Sequence, residues 1–416
     1  MKNLAVILLL VLVPVMACDE KEEVRLGPKE ITLSDSQKEL IEGGNQFGIK
    51  LFRQILSAEA AGENVFISPL SVHLALSMAW NGADGDTRGQ MMEVLGYPGI
   101  TDEEINKSIS KLIADLLSVD EKVETGIANS IWYRDGFTVK PDFLDVNREH
   151  FNAQVSALDF DNPEVRDIIN AWVAEQTRDR IMEIVDRIDP DHMMFLINAI
   201  YFKGIWSTEF VKENTREREF HLHDGTTGQV MTMETEGEFA YAEREGYQIA
   251  ELPYGRGNYS MLVFLPDEET GVGGMLDKLT PEEWNKLPDF LKKQTVNLRL
   301  PRFTFEYETE LKEPLQSLGM TEAFSEYGAN FERMADLPPG LNIYISGVKH
   351  KSFLEVNEEG TEAAAVTSVE VGVTSIGPDL PEVTLFHVDR PFMIAIKEKY
   401  TNSIIFIGRV MEPSSD

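Results

Sequence analysis

From Thr361 to Val373 every second residue is small or apolar: Ala363, Ala365, Thr367, Val369 and Val371 share one parity, whereas Glu362, Ser368 and Glu370 take the other. A period of two is the pattern of a strand with one buried face. The first half of this stretch is nevertheless rich in alanine and follows two glutamates and Gly360, which makes it a weak strand former and an acceptable helix former. Two conformations are therefore open to it.

Upstream, apolar residues at Leu40, Ile41, Phe47, Ile49, Leu51, Phe52 and Ile55 recur at helical spacing and predict an amphipathic helix over residues 40–56. Ser68-Pro69 after a short apolar run starts a second helix. Residues 101–122 open with a capping-box pattern from Thr101 to Glu104. A strand, an Asp135-Gly136 turn and a helix after Pro141 come next, then an amphipathic helix over residues 163–177. The run FLINAIYFKGIWSTEF is apolar apart from Asn198 over most of its length, which predicts a strand buried on both faces; a polar group there needs a partner. Residues 219–266 read as successive hairpins with turns at Asp224-Gly225 and Gly255-Arg256-Gly257. VNLRLPRFTFEYETEL reads as one strand leading into a helix, and VTLFHVDRPFMIAIKE and SIIFIGRV as apolar strands near the C-terminus. With no repeat and no linker after Ser34, the chain reads as a single α+β domain.

The stretch EEGTEAAAVTS, then a variable segment, then VDRPFMIAI, resembles the hinge, reactive loop and C-terminal strands of the serpins, and the similarity runs from about Ser34 to Glu412. The resemblance implies a serpin domain over residues 34–412: one large central β-sheet, two further sheets, eight to nine helices and an exposed reactive loop at about 358–381. It implies a suicide-substrate inhibitor of serine proteases, whose cleaved loop enters the central sheet and traps the acyl-enzyme. The hinge would be Glu358, Gly360, Thr361, Ala363, Ala365 and Thr367, where small inward side chains allow fast insertion. Ser68, Ser71, Asn198 and His350 would form a polar cluster where the sheet opens, with Trp206 at the point of entry. In the family's usual register the cut falls fourteen residues beyond Gly360, at Thr374-Ser375, with Ser375-Ile376 as the alternative. The competing reading is a non-inhibitory serpin-like binding or chaperone protein at the cell envelope. A third, an unrelated envelope enzyme or solute-binding lipoprotein, leaves the alternation unexplained.

Charge and chemistry narrow the partners. No Lys or Arg lies between Lys351 and Arg390 and no aromatic residue between Phe353 and Phe386, so a protease with a small apolar primary pocket, elastase-like or subtilisin-like, is expected. A formal net charge of −33 argues against nucleic acid. In relatives activated by sulfated polysaccharides the region of residues 101–122 is basic; here acids outnumber Lys107, Lys111 and Lys122, so no such cofactor is expected. A monomer without cofactor or metal is expected. Lys2, the apolar run 4–15 and Val-Met-Ala-Cys form an export signal over residues 1–17 that resembles a bacterial lipobox. Cys18 would then carry lipid and residues 18–33 would be an acidic linker, placing the protein outside the cytoplasm on the envelope; plain secretion after cleavage at Ala17 is the alternative. Cys18 is the only cysteine, so the body has no internal disulfide. Ser108-Ile-Ser-Lys111 matches S-x-x-K without its partner motifs S-D-N and K-T-G, and His221-Leu-His223-Asp224 lacks a supporting cysteine or H-E-x-x-H. Neither supports catalysis, and no enzymatic activity is expected.

Overall fold

The computed structural model describes residues 27–190, 192–338, 340–361 and 383–413. The expectations for Cys18, Ala363, Ala365, Thr367, Thr374 and Ser375 lie outside these residues. The first helix, Asp35–Ala58, begins where Ser34 and Gln37 bond reciprocally, and Asp102–Ser118 begins at the Thr101–Glu104 box. Ser68 caps the helix Pro69–Trp80 by accepting from the Ser71 N–H, with Pro69 in the first turn. Nine α-helices are present among the described residues.

Two sheets organise them. One has six strands in the order Phe303–Glu310, Lys349–Val356, Gly360–Thr361, Met194–Ile205, Val123–Arg134 and Gln154–Leu158. The other has nine strands, and the 18-residue strand Thr227–Arg244 makes it continuous. The C-terminal end of that strand pairs with Tyr247–Tyr254, its N-terminal end with Arg216–His221, and its middle, Thr232 to Tyr241, with Lys292–Pro301. The two smaller sheets expected from the sequence thus run together. Phe66, stacked on Phe406 at 5.1 Å and set edge-on to Phe305, packs between the sheets, with Phe202 against Phe406.

The run containing Asn198 is a strand as far as Ile205, and both faces meet apolar partners. Ile197 and Ala199 pack with Ile169 and Val173 of the helix Val165–Gln176, and Leu196, Ile200 and Phe202 face the main core. Burial is less complete than the pattern predicts, since Leu196 and Ile200 stay half-buried beside the seam described below. A second departure concerns VNLRLPRFTFEYETEL. It is two strands, Lys292–Pro301 in the nine-stranded sheet and Phe303–Glu310 in the six-stranded one, with Arg302 between them. Ahead of the first helix, the Asn258 side chain bonds both the N–H and the carbonyl of Lys29, and Ile31 and Leu33 pack on the core. Among the described residues no helix is long and apolar enough to cross a membrane.

Candidate functional site

Two strands of the six-stranded sheet, Met194–Ile205 and Lys349–Val356, share no ladder pairing among the described residues. Among the described residues Gly360–Thr361 alone bridges them: Gly360 lies opposite Ile205, and Thr361 lies opposite both Gly204 and Val356. The chain reaches this position through a tight reversal at Asn357, whose Oδ1 accepts from the N–H groups of Glu359 and Gly360 while its own N–H donates to the Gly360 carbonyl. Below the bridge lies a cleft lined by Phe66, Ile200, Phe202, Leu354, Thr361 and Phe406.

The upper end of the seam is tightly fixed. The Trp206 N–H donates to the Glu359 carbonyl and its indole Nε1 to the Asn357 carbonyl, each at 2.9 Å. Its ring stacks on Tyr254 at 4.4 Å, and the buried Tyr254 hydroxyl lies 2.6 Å from Thr361 Oγ1. Burial pushes the Tyr254 phenol well above its usual range, so it stays protonated and can donate. Glu358 is 5% exposed; Thr215 Oγ1 donates to its carboxylate at 2.7 Å and an Arg302 nitrogen lies 3.6 Å away. Lys212 pairs with Glu359. At Gly360 any side chain would collide with backbone, because a Cβ would sit 2.0 Å from the Gly204 carbonyl oxygen.

The expected polar cluster lies farther down the seam. The Ser68 N–H donates to His350 Nε2 at 3.1 Å and its hydroxyl to the Ile405 carbonyl at 2.7 Å. Ser71 reaches the backbone carbonyl of Asn198 at 3.4 Å. The Asn198 side chain turns to the other neighbour: its Nδ2 donates to Asn129 Oδ1 at 2.8 Å, and Asn129 in turn donates to the Phe151 carbonyl. Asn198 Oδ1 is buried and has no hydrogen-bond partner among the described residues. The sequence reading named Ser68, Ser71, Asn198, His350 and Trp206 but not Asn129, which lies in the mixed-polarity strand Val123–Arg134 and carries no local signal. It also missed Tyr254, Thr215 and Arg302, whose partners are distant in sequence and carry no local pattern.

The two discounted motifs occupy ordinary positions. Ser108 is buried, whereas Lys111, partly exposed on the same helix, pairs with Asp115. Asp224 caps its hairpin turn through the N–H and hydroxyl of Thr226. Among the described residues no group of three or more His, Cys, Asp or Glu is placed to hold a metal.

The sequence profile described as "Serpin (serine protease inhibitor)" matches residues 42–413. The chain belongs to the serpin family. It is 34% identical over 384 residues to Iripin-2 of Ixodes ricinus, covering 91% of this chain and 94% of that one. The fold is similar to the native state of tengpin, a thermophilic serpin, with a TM-score of 0.82 and 34% identity over 93% of this chain and 98% of that one. It is also similar to human thyroxine-binding globulin in complex with its hormone, with a TM-score of 0.80 and 26% identity over 91% and 100% of the two chains. The serpin family thus comprises inhibitors that target serine proteases and binding proteins on the same scaffold.

His350 supplies a pH dependence. Complete burial lowers its pKa from 6.5 to about 4, and does the same to His73. A value below that of the unfolded chain gives stability that is full above pH 6.5 and is lost as pH falls from there to about 4. Each histidine should therefore cost about 2 kcal/mol between pH 7.5 and pH 5. Guanidinium unfolding at both pH values should show a smaller acid loss in His350→Asn than in the parent; an equal loss would mean that His350 is not held neutral.

Proposed function

We propose that this serpin is a suicide-substrate inhibitor of a serine protease with a small apolar primary pocket, elastase-like or subtilisin-like. The observation that carries the proposal is the hinge itself: Gly360–Thr361 is already paired on both sides, as the first residues of a strand between two strands unpaired with each other.

Extending that register downwards sets what each further residue would meet. If the strand continued in the register set by Gly360 and Thr361, residue 363 would face Phe202 and Leu354, residue 365 Ile200 and Ser352, and residue 367 Asn198 and His350. These positions share the inner face with the buried Thr361, over a cleft walled by Phe66 and Phe406. The sequence supplies Ala363, Ala365 and Thr367 there. On insertion two small apolar groups would meet the aromatic part of the cleft, and a hydroxyl would reach the level of Asn198 Oδ1.

In this reading the protease attacks at Thr374-Ser375 and forms an ester to Thr374, and the freed loop enters the seam. About fourteen residues at roughly 3.3 Å each carry the acyl-enzyme some 45 Å. Distortion of the enzyme's active site by even about 1 Å can slow deacylation a hundredfold, which leaves the ester unhydrolysed. The same proposal anchors the protein to the envelope through lipid on Cys18, supported by the Val-Met-Ala-Cys run after the apolar segment.

Three outcomes follow. Incubation with subtilisin-type and elastase-type proteases should give a covalent adduct that survives denaturing electrophoresis, and mass spectrometry of the released fragment should place the cut between Val373 and Ile376. A panel that only degrades the protein, or leaves it untouched, favours the binding-protein alternative. Ala365→Glu should turn inhibitor into substrate while leaving the intact fold unchanged, because insertion would bury an unpaired carboxylate at a cost of several kcal/mol; undiminished trapping by this variant excludes insertion in the stated register. Finally, the mature protein should partition with detergent-extractable membranes, and Cys18→Ser should abolish this. Recovery of soluble wild-type protein with a free Cys18 thiol indicates plain secretion instead.

A further inference from the structure

The stretch ahead of the first helix is docked on the domain. The Lys29 N–H donates to Asn258 Oδ1 at 2.7 Å and the Lys29 carbonyl accepts from Asn258 Nδ2 at 2.8 Å, so one amide side chain satisfies both backbone groups as a neighbouring strand would. Asn258 is itself fixed. It is fully buried, its Nδ2 also reaches the Glu398 carboxylate at 3.2 Å, and its carbonyl accepts from the Lys399 N–H at 2.8 Å. Ile31 and Leu33 then pack on the core before Ser34 caps the helix. Residues 29–33 thus lie on the domain, and a tether to Cys18 ends at Lys29.

This docking moves the root of the tether towards the hinge. At the start of the first helix the Ser36 hydroxyl donates to Glu104 at 3.4 Å, in the first turn of the helix Asp102–Ser118. Asn258 lies beyond the other end of that helix, in the turn of residues 255–258, where the Arg256 N–H donates to Asp120 at 2.8 Å. The same turn touches the hinge level. The Gly255 N–H donates to the Ile205 carbonyl at 2.9 Å, Ile205 lies opposite Gly360, and the adjoining Tyr254 holds Thr361. The tether therefore meets the domain at the end of the seam from which the reactive loop departs. From Cys18 to Lys29 the chain reaches at most about 40 Å.

We infer that the lipid-anchored protein presents its reactive loop towards the lipid surface, and that its target is a protease held at that surface. The inference rests on the lipid anchor and the inhibitory mechanism proposed above, and adds to them an orientation. A net charge of −33 repels an anionic surface, which keeps the body from lying against it and leaves the root end nearest. An enzyme on the same surface then meets the loop at a raised effective concentration. Insertion over some 45 Å carries the trapped enzyme to the far pole, away from the lipid.

The test places a dye at either pole of the full lipidated protein in vesicles of phosphatidylcholine and phosphatidylglycerol that carry an acceptor lipid, Cys18 being occupied by its own lipid. Glu213→Cys puts the dye on an exposed residue beside Lys212, which pairs with Glu359 of the hinge. Tyr327→Cys puts it on a residue 89% exposed, in a region that meets the segment leading into the far end of Lys349–Val356. The strand Met194–Ile205 separates the two levels by roughly 40 Å, so energy transfer should be at least about twofold greater from Glu213→Cys. Ile31→Ser with Leu33→Ser, which undocks the root without touching the seam, should reduce that difference. A subtilisin-type protease fixed to the same vesicles by a short linker should be trapped about tenfold or more faster than the soluble enzyme. Equal transfer from the two poles, or greater transfer from Tyr327→Cys, would overturn the orientation, and equal trapping rates would overturn the surface-held target. Both results leave membrane partition and adduct formation standing. Soluble wild-type protein with a free Cys18 thiol, or no adduct with either form of the enzyme, would instead remove the proposed function and this inference with it.

Discussion

The approach of two backbones at Gly204 and Gly360 sets the terms for everything around the seam. With a Cβ at Gly360 the contact is impossible, and a Cβ at Gly204 would sit 2.7 Å from the Tyr254 ring. Because both positions lack side chains, the hinge lies flat between its neighbours and Thr361 reaches Tyr254. Trp206 then covers the reversal, bonding two hinge carbonyls with its own backbone and its indole. A strand begun at the correct height is thereby held in register, and register decides which side chains would later face the core.

Polarity is distributed along the seam in a graded way. At the top, charged groups compensate one another around Glu358 and Glu359. In the middle, the cleft walls are aromatic and aliphatic. Lower down, the neutral amides and hydroxyls gather around a neutral imidazole. A small inserting side chain would replace empty contact with packing in the middle zone, and a hydroxyl-bearing one would meet hydrogen-bonding groups below. The order threonine, alanine, alanine, threonine at alternate positions from Thr361 onwards therefore matches a gradient in the receiving sheet as well as a limit on size.

Much of this was legible from the chain alone because the signals are local. The capping box at Thr101, the proline at Pro69 and the glycine turns each act over three or four residues and fix element ends without help from the rest of the fold, whereas the equally local box at Ser34 went unread and the first helix starts five residues earlier than expected. Trp206, Asn198 and His350 could be named by resemblance, and the orphaned amide in an apolar run stood out on physical grounds. What was not legible depends on long-range pairing. At Pro301-Arg302 the apolar parity shifts from Val296, Leu298 and Leu300 to Phe303, Phe305 and Tyr307, which marks a break between strands, but nothing local says that the second strand joins another sheet. The partners of Glu358 come from residues far upstream, and the clustering of three arginines on Glu234 exists only once three strands are aligned.

That crossing between sheets has a mechanical consequence. The chain from Lys292 to Glu310 joins the two sheets covalently through Arg302, the one residue between its two strands, whose N–H donates to the Met231 carbonyl. Any widening of the seam that shifts Phe303–Glu310 and Lys349–Val356 together away from Met194–Ile205 must bend the backbone at that residue. Its guanidinium faces Glu358 at 3.6 Å. The elbow that has to flex for the sheet to spread is thus tied, by its own side chain, to the segment that spreads it.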